Sequence, residues 1–287
     1  MPVAHLADRA LIEVTGPDAE HFLQNILTID LATVEAGQAR PGALLAPQGK
    51  ILFDFLISRI DGGFRLEVRQ DLAADFMRRL TLYRLRAKAD IRESDQHVVA
   101  VSWGNDSGSS QTDSTSVSDM RFPDALHARR HYGELPPADA APADWHALRI
   151  SLGIAESGDD YAVGDAFPHD VLLDQNGGVG FRKGCYIGQE VVSRMQHRGT
   201  ARRRVLLVRA DEPLPPSGTA VTVNGRPVGA LGGVSGTSGL AVLRIDRVKD
   251  AMDSGTPLLA DGIALNAAIP DWAKFGFPEA ASTADGD

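Results

Sequence analysis

The chain opens with short apolar runs of β character, broken by glycine and proline. "ALIEV" reads as a strand, and "TGPDAEHFLQNIL" after it reads as a helix. Gly16 stands at the cap and Pro17 at the first helical position, where its missing N–H leaves no bond unmade. Phe22, Leu23, Ile26 and Leu27 then share one helical face. Three β-like segments follow: "ARPGALLA", "KILFDFLISRI" and "FRLEVR". Pro47-Gln48-Gly49 separates the first two and Asp61-Gly62-Gly63 the last two, so the strands are expected to be antiparallel neighbours. Leu72, Phe76, Leu80 and Tyr83 recur at helical spacing and predict a helix from about Asp71 to Leu85. "KADIRE" and "HVVAVSW" read as further strands.

Between residues 104 and 120 the pattern collapses. "GNDSGSSQTDSTSVSDM" has too little apolar content to offset the entropy of ordering it, and a mobile loop is expected there. "YGELPPADAAPADW" is a proline-spaced connector, and "WHALRISLGI" resumes order. From about Arg202 to Phe275 the texture becomes that of a small all-β domain: "RVLLVRA", "GTAVTV", "RPVGALGGVSG" and "GLAVLRI", with Asn224-Gly225 as a two-residue hairpin signal. The last dozen residues read as a frayed tail. The pattern is that of an α/β body with antiparallel pairing followed by a β barrel or sandwich.

Composition narrows the function classes. A single cysteine, Cys185, excludes an internal disulfide and fits a reducing compartment. The opening "MPVAHLADRALIEV" has no long apolar run, so neither signal peptide nor membrane partner is expected, and the reading is cytoplasmic. The net charge of −9 argues against indiscriminate nucleic-acid binding. That charge is uneven. Arg182, Lys183, Arg194, Arg198, Arg202, Arg203, Arg204 and Arg209 stand against the one acid Glu190, leaving 21 basic and 37 acidic residues elsewhere. Such a segment suits an anionic ligand or an acidic partner, or is a solvated basic face. A nucleic-acid reading lacks interleaved aromatics for base stacking.

Cys185 lies at the edge of that segment, in "KGCYIGQE". "GQEVVSRMQHRG" has helix grammar: Val191, Val192 and Met195 on one face, Glu190 in the first turn, Arg194, His197 and Arg198 in the last turns, Gly199 as the cap. Gly188 then starts the helix, and Cys185 lies about one turn ahead of it. The positive helix end and the nearby Lys183 both favour a thiolate. Gly184 and Gly188 permit unusual backbone angles and close approach of a ligand. The competing reading is a buried, inert thiol. His169 and His197 are nearby candidates for metal ligation, although a lone histidine more often packs or hydrogen-bonds.

"FRKGCYIGQEVVSRMQHRG" resembles the signature of the YgfZ family of folate-binding proteins and its mitochondrial iron–sulfur assembly relatives, within the glycine-cleavage T-protein superfamily. "GPDAEHFLQNILTID", "LLAPQGKILFDFLI", "LRISLGIAESGDDY", "FPHD" and "DQNGGVGFRKGCYIGQE" extend the likeness from about residue 5 to 275. Asp119 and Arg121 resemble the family's Asp-Pro-Arg, with Met120 in place of proline. The resemblance implies an α+β fold: two α/β lobes with antiparallel sheets and a small C-terminal β barrel around a central channel. The lobes would span residues 1–92 and 93–200, the barrel 201–275, and a flexible tail 276–287. It implies tetrahydrofolate, or another reduced folate, as cofactor. It implies iron–sulfur assembly proteins or client 4Fe–4S enzymes as partners, radical tRNA-modifying enzymes among them.

Asp54 stands in "ILFDFLI", on the strand face of Leu52 and Leu56, where a carboxylate needs a partner or a ligand. By resemblance Asp54 matches the acid that the T-protein places near the folate's reactive nitrogen. Arg149 matches an arginine of its Leu-Arg-Leu-Glu segment, whose glutamate is Ser151 here. The T-protein's Gly-Glu-Asp-Gly stretch is not visible. Function is expected at Cys185 and Lys183, with Tyr186, Gly184, Gly188 and Gln189 joining Asp54 and Arg149 as folate-binding residues. The alternative is a tetrahydrofolate-dependent one-carbon transferase with Asp54 as its acid/base group.

Overall fold

The computed structural model describes residues 1–95, 98–104, 116–199 and 201–278. Among these residues fifteen strands form a mixed sheet and a closed barrel, accompanied by five α-helices. The strands of the sheet are β1 (Val3–Leu6), β2 (Arg9–Thr15), β3 (Gln38–Leu45), β4 (Ile51–Ile60), β5 (Gly63–Arg69), β6 (Asp90–Glu93), β7 (Val99–Ser102), β8 (Ser116–Asp119) and β9 (Arg129–His131). Their order is β1-β7-β9-β8-β3-β4-β5-β2-β6. The two expected lobes therefore share one sheet. Its seam is a short parallel pair, Gln38 with Ser118 and Ala39 with Asp119. The N-terminal strand β1 pairs with β7 of the second half.

The expected hairpins form. β3 pairs antiparallel with β4 and β4 with β5, and the turns carry Gly49 and Gly62 at positive φ. Asp54 thus sits on a strand paired on both sides, not at an edge. Helices α1 (Ala19–Gln24) and α2 (Ala73–Arg84) cover the apolar face of β2, β4 and β5. Phe76 stacks between Phe53 and Phe55 at ring distances of 4.9 and 5.6 Å. Helix α3 (Pro142–Ser151) buries Trp145 against Phe122 and Trp103.

The expected loop at 104–120 needs correction in part. Residues 116–119 are strand β8, with Ser116, Val117 and Asp119 buried. Its serine-rich sequence hid it, because its burial comes from β3 and β9 on either side and not from its own apolar content. Residues 105–115 lie outside the described residues, as does most of the expected tail.

The C-terminal barrel closes in the order β10-β13-β12-β11-β14-β15: β10 (Arg203–Arg209), β11 (Ala220–Val223), β12 (Arg226–Ser235), β13 (Ser238–Arg244), β14 (Leu258–Ala260) and β15 (Ile263–Ala268). Asn224 and Gly225 turn β11 into β12 with φ of 50° and 73°, as a primed turn requires. The all-β expectation misses α5 (Ile245–Ser254), which buries Ile245, Val248 and Ala251 at helical spacing. Trp272 then donates from Nε1 to the Leu152 carbonyl and ties the barrel's exit to the end of α3.

Candidate functional site

The "KGCYIGQE" stretch leads into α4 (Gln189–Arg198), with Gly188 at its N-cap and Gly199 at its C-cap, both left-handed. The loop ahead of the helix alternates in depth. Lys183 and Tyr186 are buried, while Gly184 and Cys185 are exposed. The buried-thiol reading is therefore excluded. Lys183 Nζ donates to the carbonyls of Leu27 and Ile29, both at 2.7 Å, and lies 5.3 Å from the Tyr186 ring centroid. Burial pulls its ammonium down to about 8, against the pull of Asp30. Lys183 is thus a clamp that fixes the loop onto the segment after α1. Its protons are taken by that segment, so the thiol-tuning role expected of it finds no support in these contacts.

Gly188 does a second fixing task. A Cβ there would lie 2.6 Å from the Ala46 carbonyl oxygen, and one at Gly49 would lie 2.9 Å from the Val191 Cβ. The β3–β4 turn and the start of α4 can approach this closely only as glycines, and Gly188 also holds φ at 79°. Gly184 is different: its φ is outside the left-handed region, and a Cβ there meets nothing within 4 Å. Tyr186 packs with Ile51, Tyr161 and Val192 in the core, with burial raising its hydroxyl to about 12. Gln189 is half-buried at the first helical turn, its backbone N–H donating to the Tyr186 carbonyl at 3.3 Å. His169 is buried, its Nε2 paired with Gln196 Oε1 on α4 at 3.1 Å, while His197 is exposed on the same helix.

Asp54 faces a separate, central cavity lined by Arg9, Gly42, Glu67, Arg121, Arg130 and Glu156 among others. Both of its oxygens are occupied. Ser157 donates from its backbone N–H at 3.0 Å and from Oγ, and Tyr161 donates its hydroxyl at 2.9 Å. Behind them runs a buried ion network. Glu156 pairs with Arg9 and Arg121, and Arg149 and Arg130 approach it at 3.7 and 3.8 Å. Burial pushes the Glu156 carboxyl up, but these four guanidiniums outweigh it and hold the group well below the usual carboxylate range. Asp119 and Arg121 form a bidentate pair, and Arg130 bridges Asp119 to Glu67. The family-like Asp-x-Arg is therefore part of this network.

Arg149 does not line the cavity. Its guanidinium turns away to Asp160 at 2.5 Å and Asp159 at 3.1 Å. The reason is local: "ESGDDY" folds back so that Glu156 and Asp160 neutralise Arg149 while Ser157 and Tyr161 hold Asp54. Sequence reasoning missed Arg9, Glu67, Arg130, Ser157 and Tyr161. No local pattern marks them: Glu67, for example, shares its strand face with Arg65 and Arg69.

The residues present do not fit a folate in this arrangement. The cavity offers about 30 Å³, room for a water or two, whereas ligand pockets run to about 300 Å³ or more. Asp54 already accepts three hydrogen bonds from Ser157 and Tyr161, and Arg9, Arg121 and Arg130 are balanced by Glu67, Asp119 and Glu156. Arg9 Nε and Arg130 Nη2 make no hydrogen bond, but each lies near a carboxylate, Asp8 at 3.6 Å and Glu156 at 3.8 Å.

Comparison with known proteins agrees with this architecture. Residues 202–275 match the CAF17 C-terminal beta-barrel domain. The chain is 31% identical over 300 residues to the human mitochondrial iron-sulfur cluster assembly factor IBA57, covering 93% of this chain and 84% of that protein. Its mouse counterpart is also 31% identical, with the same coverage. The glycine cleavage system aminomethyltransferase T of Bartonella henselae superposes with a TM-score of 0.68 at 15% identity, over 95% of this chain and 86% of that one. That likeness shows the fold: a T-protein-like body with a closed barrel. The cytoplasmic expectation is corrected by the first two relatives, whose names place them in mitochondria.

Proposed function

Because the chain belongs to the family of the iron–sulfur cluster assembly factor IBA57, we propose that it serves iron–sulfur protein assembly by presenting Cys185 to a partner. The observation that carries this reading is the build of the loop. Lys183, Tyr186 and Gly188 anchor it at three points, yet Gly184 and Cys185 between them touch nothing that would hold the thiol in. A rigidly held, accessible thiol is suited to contact with another protein's chemistry. One thiol does not by itself hold an iron–sulfur cluster, so a cluster at Cys185 is cargo shared with the partner's own ligands. Assembly proteins and client 4Fe–4S enzymes are the partner classes of this reading. Reduced folate has no step in it, because the Asp54 side chain is already engaged by Ser157 and Tyr161.

The test is complementation of a strain lacking its own copy, scored by the activity of a 4Fe–4S enzyme. Cys185→Ser is nearly isosteric and is expected to abolish rescue while leaving the melting temperature unmoved. Full rescue by that variant would remove the thiol from the function.

A further inference from the structure

The end of α2 carries a feature that neither the cavity nor the Cys185 loop uses. Phe76 and Leu80 point into the core, which leaves Arg78, Leu82 and Leu85 along the outer side of the helix. Leu82 is 62% exposed and Leu85 86% exposed, the two most exposed large apolar side chains among the described residues. Cations flank them in sequence: Arg79, Arg84, Arg86 and Lys88 lie in the acid-free stretch 78–89, while Arg78 is paired with Asp75 and Arg92 with Glu13. Of the acids close in sequence, Asp75 is paired with Arg78 and Asp71 with Arg69, and Glu93 and Asp95 follow at the far end; Asp18, distant in sequence, accepts from the Lys88 backbone N–H. This lies in a chain whose net charge is −9.

Leu85 has no local reason to be leucine. Ala87 N–H donates to the Arg84 carbonyl at 2.9 Å, closing a turn whose first central residue is Leu85 at φ 48°, ψ −107°. That is the geometry of a type II′ turn, where glycine is the favoured residue. An L-residue with a branched, fully exposed side chain is strained there and packs against nothing. Its use must lie outside the chain.

We propose that this helix end seats the protein on an anionic phospholipid surface, Leu82 and Leu85 entering the interface and the neighbouring Arg79, Arg84, Arg86 and Lys88 meeting the headgroups. Two leucine tips supply a small part of the roughly 800 Å² per partner of a standard protein interface. A few inserted apolar side chains with cations beside them are sufficient for reversible attachment to anionic lipid. Among the described residues no helix is long and apolar enough to cross a membrane, and surface attachment does not need one.

The experiment is flotation of the full chain with vesicles of phosphatidylcholine alone, or of phosphatidylcholine with phosphatidylglycerol, at low and high salt. Binding to the anionic vesicles only, weakening with salt, is expected. The Leu82→Ser/Leu85→Ser double variant should lose about tenfold or more in partitioning, and Arg86→Glu/Lys88→Glu a similar factor. Leu85→Gly alone should weaken binding while raising the melting temperature, a pairing that misfolding cannot produce. No binding to anionic vesicles, or binding that the leucine substitutions leave unchanged, overturns the proposal. So does a leucine variant that fails complementation when the wild type binds no vesicle, since the face would then serve a protein.

Discussion

The central cavity and the Cys185 loop are built on opposite plans. At the cavity, every carboxylate is met by guanidinium, hydroxyl or amide donors from the chain itself: Asp54 by Ser157 and Tyr161, Asp119 by Arg121 and Arg130, Glu156 by Arg9 and Arg121. At the loop, the anchors are satisfied and the residues they hold up are bare. The first is a self-sufficient interior that ties the two halves of the sheet together, since Arg9, Glu67 and Asp119 come from different strands. The second is an unfinished surface. The exposed thiol of Cys185 lies in the second region, not the first.

The contrast can be broken most severely from the inside. Glu156→Ala would leave Arg9, Arg121 and Arg149 facing one another in the interior, and a loss of about 3–5 kcal/mol is expected by denaturant unfolding. Glu156→Gln, which keeps the shape, should lose less. An effect under about 1 kcal/mol would mean that the network is not what joins the sheet.

The loop's clamp should show itself in the pH dependence of stability. Lys183 has its folded value depressed to about 8 from 10.5, so between those values the unfolded chain binds more protons than the native one. Stability from this residue therefore rises with pH across that window, by at most about 3 kcal/mol. Below it the buried ammonium remains at its full desolvation cost. Lys183→Met should remove this rise from the profile, and a profile identical to the wild type would show that the ammonium is not buried against Leu27 and Ile29.

Two glycines four residues apart sharpen the comparison further. Gly188→Ala places a methyl on the Ala46 carbonyl at a left-handed position and is expected to destabilise by about 1–3 kcal/mol. Gly184→Ala meets open space and should stay within about 0.5 kcal/mol. Equal effects in thermal melts would contradict the division of the loop into anchor and presented tip.

The sequence displays these regions unequally. Alternation along β4 puts Asp54 on the correct face, and helix grammar finds α4 with Gly188 and Gly199 at its ends, because both signals are local. The ion network is not legible in the same way. Arg9, Glu67, Arg130 and Glu156 look like ordinary solvated positions on four separate segments, and only the sheet order brings them together. Arg149 illustrates the limit of motif matching: the motif picks it out, but its guanidinium pairs with Asp159 and Asp160 and does not line the cavity. Lys183 is similar. Its nearness to Cys185 in sequence suggests electrostatic tuning, while its side chain reaches back to the carbonyls that follow α1.

The most direct measurement of the central claim is the alkylation rate of Cys185, the chain's one thiol, in the native protein against the same protein in denaturant. The loop geometry requires native reactivity within about tenfold of the unfolded rate, because the thiol is exposed while its neighbours are fixed. Protection by a factor of about a thousand or more, released only by global unfolding, would place the thiol in the interior and contradict the account.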